Sequence, residues 1–192
     1  MKLRTKLMLG TQLLLAAALA LCCFLMVQSL RRTLVADAVA YTAAEHRTME
    51  TAVRKVLSEN GNSEKIDLVQ RASLNYQMKK VNVEADASTQ YILQTEKDNI
   101  FNNCGINAWQ VLNTSATEKV QGDRNSGKRY AVVRHEGRDY CVMGATDVFL
   151  TEQYLLATVR DITHNMAYIR ELTVYYVVVG LLILLAAAVL EA

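Results

Sequence analysis

Apolar residues are bunched rather than spread along this chain. Residues 7–27, LMLGTQLLLAAALALCCFLMV, run for 21 positions without a charge, and residues 172–190 do so for 19. The core helix of a soluble domain alternates wet and dry faces, and neither block does. About 20 apolar residues in a helix cross about 30 Å of hydrocarbon, so both blocks are expected to span a membrane. Between them the pattern changes twice. Residues 33–60 carry Leu34, Ala38, Tyr41, Met49, Val53, Val56 and Leu57 near a 3.6-residue spacing, which predicts a long helix. Asn60-Gly61-Asn62 is a stop signal, and Ser63 can cap a second helix with Ile66, Val69, Ala72 and Tyr76 on one stripe. No glycine or proline interrupts residues 11–60, so the first helix is expected to leave the first apolar block without a break.

Past residue 88 the period becomes two. Residues 89–94 (TQYILQ) and 100–103 (IFNN) flank the turn TEKDN and predict a hairpin. Residues 107–120 are ambiguous, and QGDRNSG reads as a loop. Residues 129–135, a Glu-Gly turn, 138–146 and then 154–162 predict three consecutive antiparallel strands. Thr163 is placed to cap a helix that continues into the second apolar block. The expected fold is a membrane-anchored α+β chain: about five antiparallel strands, helices on one face, and two transmembrane helices. The expected divisions are a cytoplasmic tail 1–6, spans 7–27 and 172–190, a domain 28–171 between them, and a short end 191–192.

Charge adds orientation. Lys2, Arg4 and Lys6 precede the first block, and a long domain is translocated largely regardless of its own charge. The N-terminus is expected to be cytoplasmic, the domain extracytoplasmic and the protein multi-pass in the cell membrane. The first block exceeds the h-region of a cleaved signal peptide, so it is expected to be retained. Residues 28–171 hold 18 Lys/Arg and 18 Asp/Glu, a neutral balance without the basic footprint of a nucleic-acid binder.

The order of elements resembles the extracytoplasmic PAS-like (PDC or Cache) sensor domains of bacterial transmembrane receptors, above all sensor histidine kinases. QYILQTEKDNIFNN is similar to the first two strands of that fold, and YLLATVRDITHNMAYIREL to its last strand and outgoing helix. The resemblance implies a signal-input module that senses a small ligand or envelope condition and relays it by helix displacement. It also implies a kinase part, absent from these 192 residues, to which ATP, Mg and a cognate response regulator belong. The lack of a basic flank after residue 190 reads as a boundary within a longer parent. The alternative is the first extracytoplasmic domain of an ABC-type permease or another membrane assembly protein.

Candidate chemistry is sparse. GDRNSGKR (122–129) nearly spells a phosphate-binding loop, but Arg129 replaces the Ser/Thr hydroxyl and a strand rather than a helix follows. His46, His135 and His164 match no metal-ligand spacing, and no catalytic constellation is apparent; no metal or cofactor is expected in this chain. Strand alternation puts Tyr130, Val132 and Arg134 on one side of their strand, and Tyr140, Val142 and Gly144 on one side of theirs. Trp109, Arg129, Tyr130 and Tyr140 could line a ligand pocket, aromatic walls around a cation for an acidic ligand. Cys104 and Cys141 lie where a disulfide is permitted, and the sequence leaves their pairing open. Cys22 and Cys23 are small apolar residues of the first span. The helix from Thr33 to Asn60 has an apolar stripe that a second copy would cover, so a parallel homodimer is expected.

Overall fold

The computed structural model describes residues 3–59, 68–95, 98–113, 118–119, 128–149 and 152–191. The expected stop at 60–62, the Ser63 cap with Ile66, and most of the GDRNSGKR loop lie outside the described residues. Ten elements follow in order: α1 (Leu3–Glu59), α2 (Leu68–Glu84), β1 (Thr89–Thr95), β2 (Asn99–Asn102), α3 (Ala108–Leu112), β3 (Glu118–Lys119), β4 (Arg129–His135), β5 (Arg138–Phe149), β6 (Glu152–Asp161) and α4 (Thr163–Glu191). The chain divides into two compact units, residues 36–163 and residues 1–35 with 164–192.

The second of these units is helical. Its parts of α1 and α4 are long and apolar enough to cross a membrane. Large apolar side chains such as Leu13, Phe24, Val174 and Leu185 are exposed on them, the surface that lipid covers where a helix spans a bilayer.

The other unit is α+β. Among the described residues its antiparallel sheet has six strands in the order β2-β1-β6-β5-β4-β3. About five were expected; the sixth is β3, two residues paired with Tyr130 and Arg129. Long β5 and β6 pair continuously from Tyr140↔Asp161 to Phe149↔Glu152, so β5 runs past the expected limit at Thr146. The β4–β5 connection is the expected Glu136-Gly137 turn. Both residues have positive φ, 48° and 80°, the backbone of the tight turn that suits the twist of a two-residue hairpin.

Each face of the sheet carries its own core. On one face α1 buries Met49, Val53, Val56 and Leu57 and α2 buries Leu74 and Met78, against Tyr91, Leu93, Tyr154 and Leu156. On the other, Ile106, Ala108 and Leu112 around α3 cover Ile92, Val142, Leu155, Ala157 and Val159. This corrects the expectation of helices on one face. The residues read as ambiguous begin with a helix, capped where Asn107 Oδ1 accepts from the Gln110 N–H at 3.1 Å, and its apolar residues close the second face.

The stripe expected on α2 is also corrected. Val69 and Tyr76 are exposed, and the buried face is Gln70, Leu74 and Met78. Both sets recur at helical spacing, and the sheet takes the one with the longer aliphatic side chains. In α1 the buried positions 38, 42, 46, 49, 53 and 57 follow the helical repeat. Thr42 and His46 are polar members of that stripe.

Candidate functional site

The residues expected to form a pocket are split between the two faces. Cross-strand partners share a face. Tyr130 pairs with Met143 and Arg129 with Gly144, so Arg129 shares the α3 face with Tyr140, while Tyr130 lies on the α1 face. Trp109 and Tyr140 are half-buried and pack on the α3-side core; Arg129 is exposed. The space above Gly144 is filled. A Cβ on Gly144 would meet Leu112 Cδ1 and the Leu156 carbonyl oxygen, each at 2.7 Å. The glycine lets α3 lie directly on the sheet where an aromatic-walled pocket was expected. Trp109, Arg129 and Tyr140 therefore share a face, and Tyr130 does not join them.

The disulfide is likewise not made. Cys104 and Cys141 are free thiols. Cys104 packs on the α3-side core, whereas buried Cys141 hydrogen-bonds to Thr42 of α1, and burial pushes its pKa up to about 11. The sheet stands between the two sulfurs. Among the described residues no group of three His, Cys, Asp or Glu side chains is placed to hold a metal ion.

The α1 face holds a different site. A cavity of about 250 Å³ lies between α1 and the strands β5 and β6. His46, Glu50, Val53 and Arg54 line it from the helix, at the i, i+4, i+7 and i+8 positions that share one helical face. Ala145, Asp147, Tyr154 and Leu156 line it from the sheet, together with Thr146. Ala145 pairs with Leu156 and Asp147 with Tyr154, so four sheet positions point the same way.

Its charges are tied to one another. Arg54 Nη2 donates to Asp147 Oδ2 at 2.6 Å and lies 3.1 Å from Glu50 Oε1; Arg54 Nε also donates to that oxygen, at 3.2 Å. Lys128, 8% exposed, approaches Glu50 Oε2 at 3.0 Å. Tyr154 donates its hydroxyl to Asp147 at 3.3 Å. The carboxylate of Asp147 raises the Arg54 pKa further. Burial works to raise the pKa of Glu50, but the hydrogen bond and charge of Lys128, with Arg54, bring it below the ordinary value. Burial and then the Asp147 charge push the Tyr154 phenol up.

His46 is the buried member, 1% exposed. Its Nδ1 lies 3.1 Å from Thr158 Oγ1 of β6. Burial, followed by the positive charge of Lys128, lowers its pKa from 6.5 to about 4 against the opposing pull of Glu50. The ring is therefore neutral at pH 7, and its bond to a hydroxyl can run in either direction.

Sequence reasoning missed this cluster. The spacing of His46, Glu50 and Arg54 is legible in the sequence, but nothing in strand alternation says that Asp147 and Tyr154 face it, because β5 was expected to end at Thr146, one residue short of that pairing. Lys128 was read only as part of a failed phosphate loop.

No family model, curated protein or solved structure matches the chain.

Proposed function

We propose that the chain is the input module of a transmembrane receptor, with the sheet unit outside the membrane in a PAS-like, PDC or Cache type of fold, and a sensor histidine kinase as the effector class. The cavity between α1 and the β5–β6 strands is its sensing site. A sheet whose last strand returns to pair with its first supports the PAS-like reading.

The observation that carries the proposal is the direct passage of the chain from the sheet into the apolar helices. β6 lies in the middle of the sheet, and only Ile162 separates it from α4. That residue is buried, and its N–H donates to the Asp139 carbonyl at 2.8 Å. Thr163 N–H donates to Asp161 Oδ1 at 2.8 Å, and Thr163 Oγ1 accepts from the Asp139 N–H at 2.9 Å. At the other end α1 is one helix, Leu3–Glu59, and it carries half of the cavity wall. A ligand that favours one packing of α1 on β5 and β6 shifts the population of that packing, and the chain runs from that packing into both apolar helices.

Two measurements test this. A cysteine at position 118 should react with an impermeant thiol reagent in intact cells; reaction only after lysis rules the topology out. With residues 1–192 joined to the cytoplasmic part of a reporter kinase, two glycines inserted between Ile162 and Thr163 should fix output at one level. Output that still responds as before the insertion would show that the junction is not the relay.

A further inference from the structure

We propose that the α1–sheet cavity takes a small neutral polyhydroxylated ligand, of the chemical class of a monosaccharide or an inositol. This rests on the reading of the cavity as a sensing site.

The argument begins with size. At about 250 Å³ the cavity falls below the about 300–1,000 Å³ of sites for drug-sized ligands, which leaves room for one sugar-sized ring. Charge narrows the class. Glu50 and Asp147 are countered by Arg54 and Lys128 at 2.6 to 3.1 Å, and His46 is neutral at pH 7. An anion would meet the two carboxylates, a cation would meet the guanidinium, and a zwitterion would have to part pairs already made. Among the described residues none of them finds a net opposite charge.

Hydrogen-bonding capacity nevertheless remains. The bonds of Arg54 use Nε and Nη2, which leaves the two protons of Nη1. His46 uses Nδ1, which leaves Nε2 as a donor or an acceptor according to tautomer. A carboxylate accepts at about four lone-pair sites, so Glu50 keeps capacity beyond its two cations. Donors and acceptors set side by side, with their charges neutralised, match vicinal hydroxyls, each of which donates one bond and accepts another. Val53, Leu156 and the Tyr154 ring supply apolar wall for the C–H face of such a ring.

The test uses the full chain purified in detergent, with myo-inositol, D-glucose and D-ribose as probes and D-glucuronate and D-glucosamine as charged analogues. Binding is read by calorimetry and by saturation-transfer NMR. At least one neutral probe should saturate at a Kd on the order of millimolar or tighter, and glucuronate and glucosamine should bind at least about tenfold more weakly. Arg54→Ala, which alters an exposed side chain, should weaken binding at least about tenfold. Ala145→Leu, which fills the cavity from the sheet side, should abolish it. Absence of saturation by all three neutral probes up to about 50 mM overturns the proposal. So does tighter binding of a charged analogue, or binding that survives both substitutions. These readouts need no membrane orientation. A chain that binds polyols but fails the labelling and glycine-insertion tests refutes the receptor reading alone, and a chain that passes those but ignores polyols refutes the ligand class alone.

Discussion

His46 concentrates the pH response of the sheet unit in one side chain. Its pKa is about 4 in the fold against 6.5 in the unfolded chain. The unfolded chain takes up a proton as pH falls through 6.5, and the folded chain refuses it until about pH 4, so stability is full above the first value and is lost on the way to the second. By pH 5 the loss from this group is about 2 kcal/mol. The melting temperature of the purified chain is expected to fall between pH 7 and pH 5, and His46→Gln should remove most of that fall; an unchanged pH dependence in the variant would refute the assignment. Gly144 gives a prediction of another kind. Its missing Cβ is the space in which Leu112 and the Leu156 carbonyl lie, and the carbonyl belongs to a strand paired on both sides. Gly144→Ala should cost about 1–3 kcal/mol by overpacking, read as a lower melting temperature. Leu112→Ala in the same chain should recover part of it. Neither residue was singled out by the sequence for what it does. The helical repeat showed where His46 sits along α1, but its neutrality depends first on burial against the sheet and then on Lys128, 82 positions away, and Gly144 was noticed only for the face it shares with Tyr140.

At the level of elements, the join between β6 and α4 is held by a few short bonds. Thr163→Ala removes the oxygen that accepts from the half-buried Asp139 N–H, and is expected to lower stability by about 1 kcal/mol; Thr163→Ser should restore it. Equal melting temperatures for all three would show that the hydroxyl has no structural part. The direct passage from strand to helix was legible in advance, whereas the Thr163 hydroxyl, expected to cap the helix, engages Asp139 of β5 instead. So were the β1–β2 hairpin, the Glu136-Gly137 turn and the strands β4, β5 and β6. Two elements were not. In α2 two stripes compete at the same period, and only contact with Leu93 and Phe101 selects Leu74 and Met78. In α3 five residues are too few for a period, and what makes them a helix is the Asn107 cap and the apolar face they cover.

For the molecule as a whole, two expectations concern what the chain meets. Single cysteines along residues 34–41 should cross-link in native membranes with a helical period if a second copy covers this part of α1; a flat profile refutes the parallel dimer. Lys128 is engaged with Glu50 at 3.0 Å, so ATP is expected to leave the melting temperature unchanged, and a saturable rise abolished by Lys128→Ala would show a nucleotide site after all. The strand order has a consequence for synthesis. β1 pairs with β6 across more than fifty intervening residues, and β6 fills the middle of the sheet. A ribosome delivers α1, α2 and the first hairpin long before their central neighbour exists. Until residue 161 has been made, β1 and β5 each present a bare edge and the two cores have no common floor. The unit therefore closes in a single late event, just as the segment that will become α4 is being made. A nascent chain stalled before β6 therefore offers quality-control proteases two unfinished halves rather than a smaller domain.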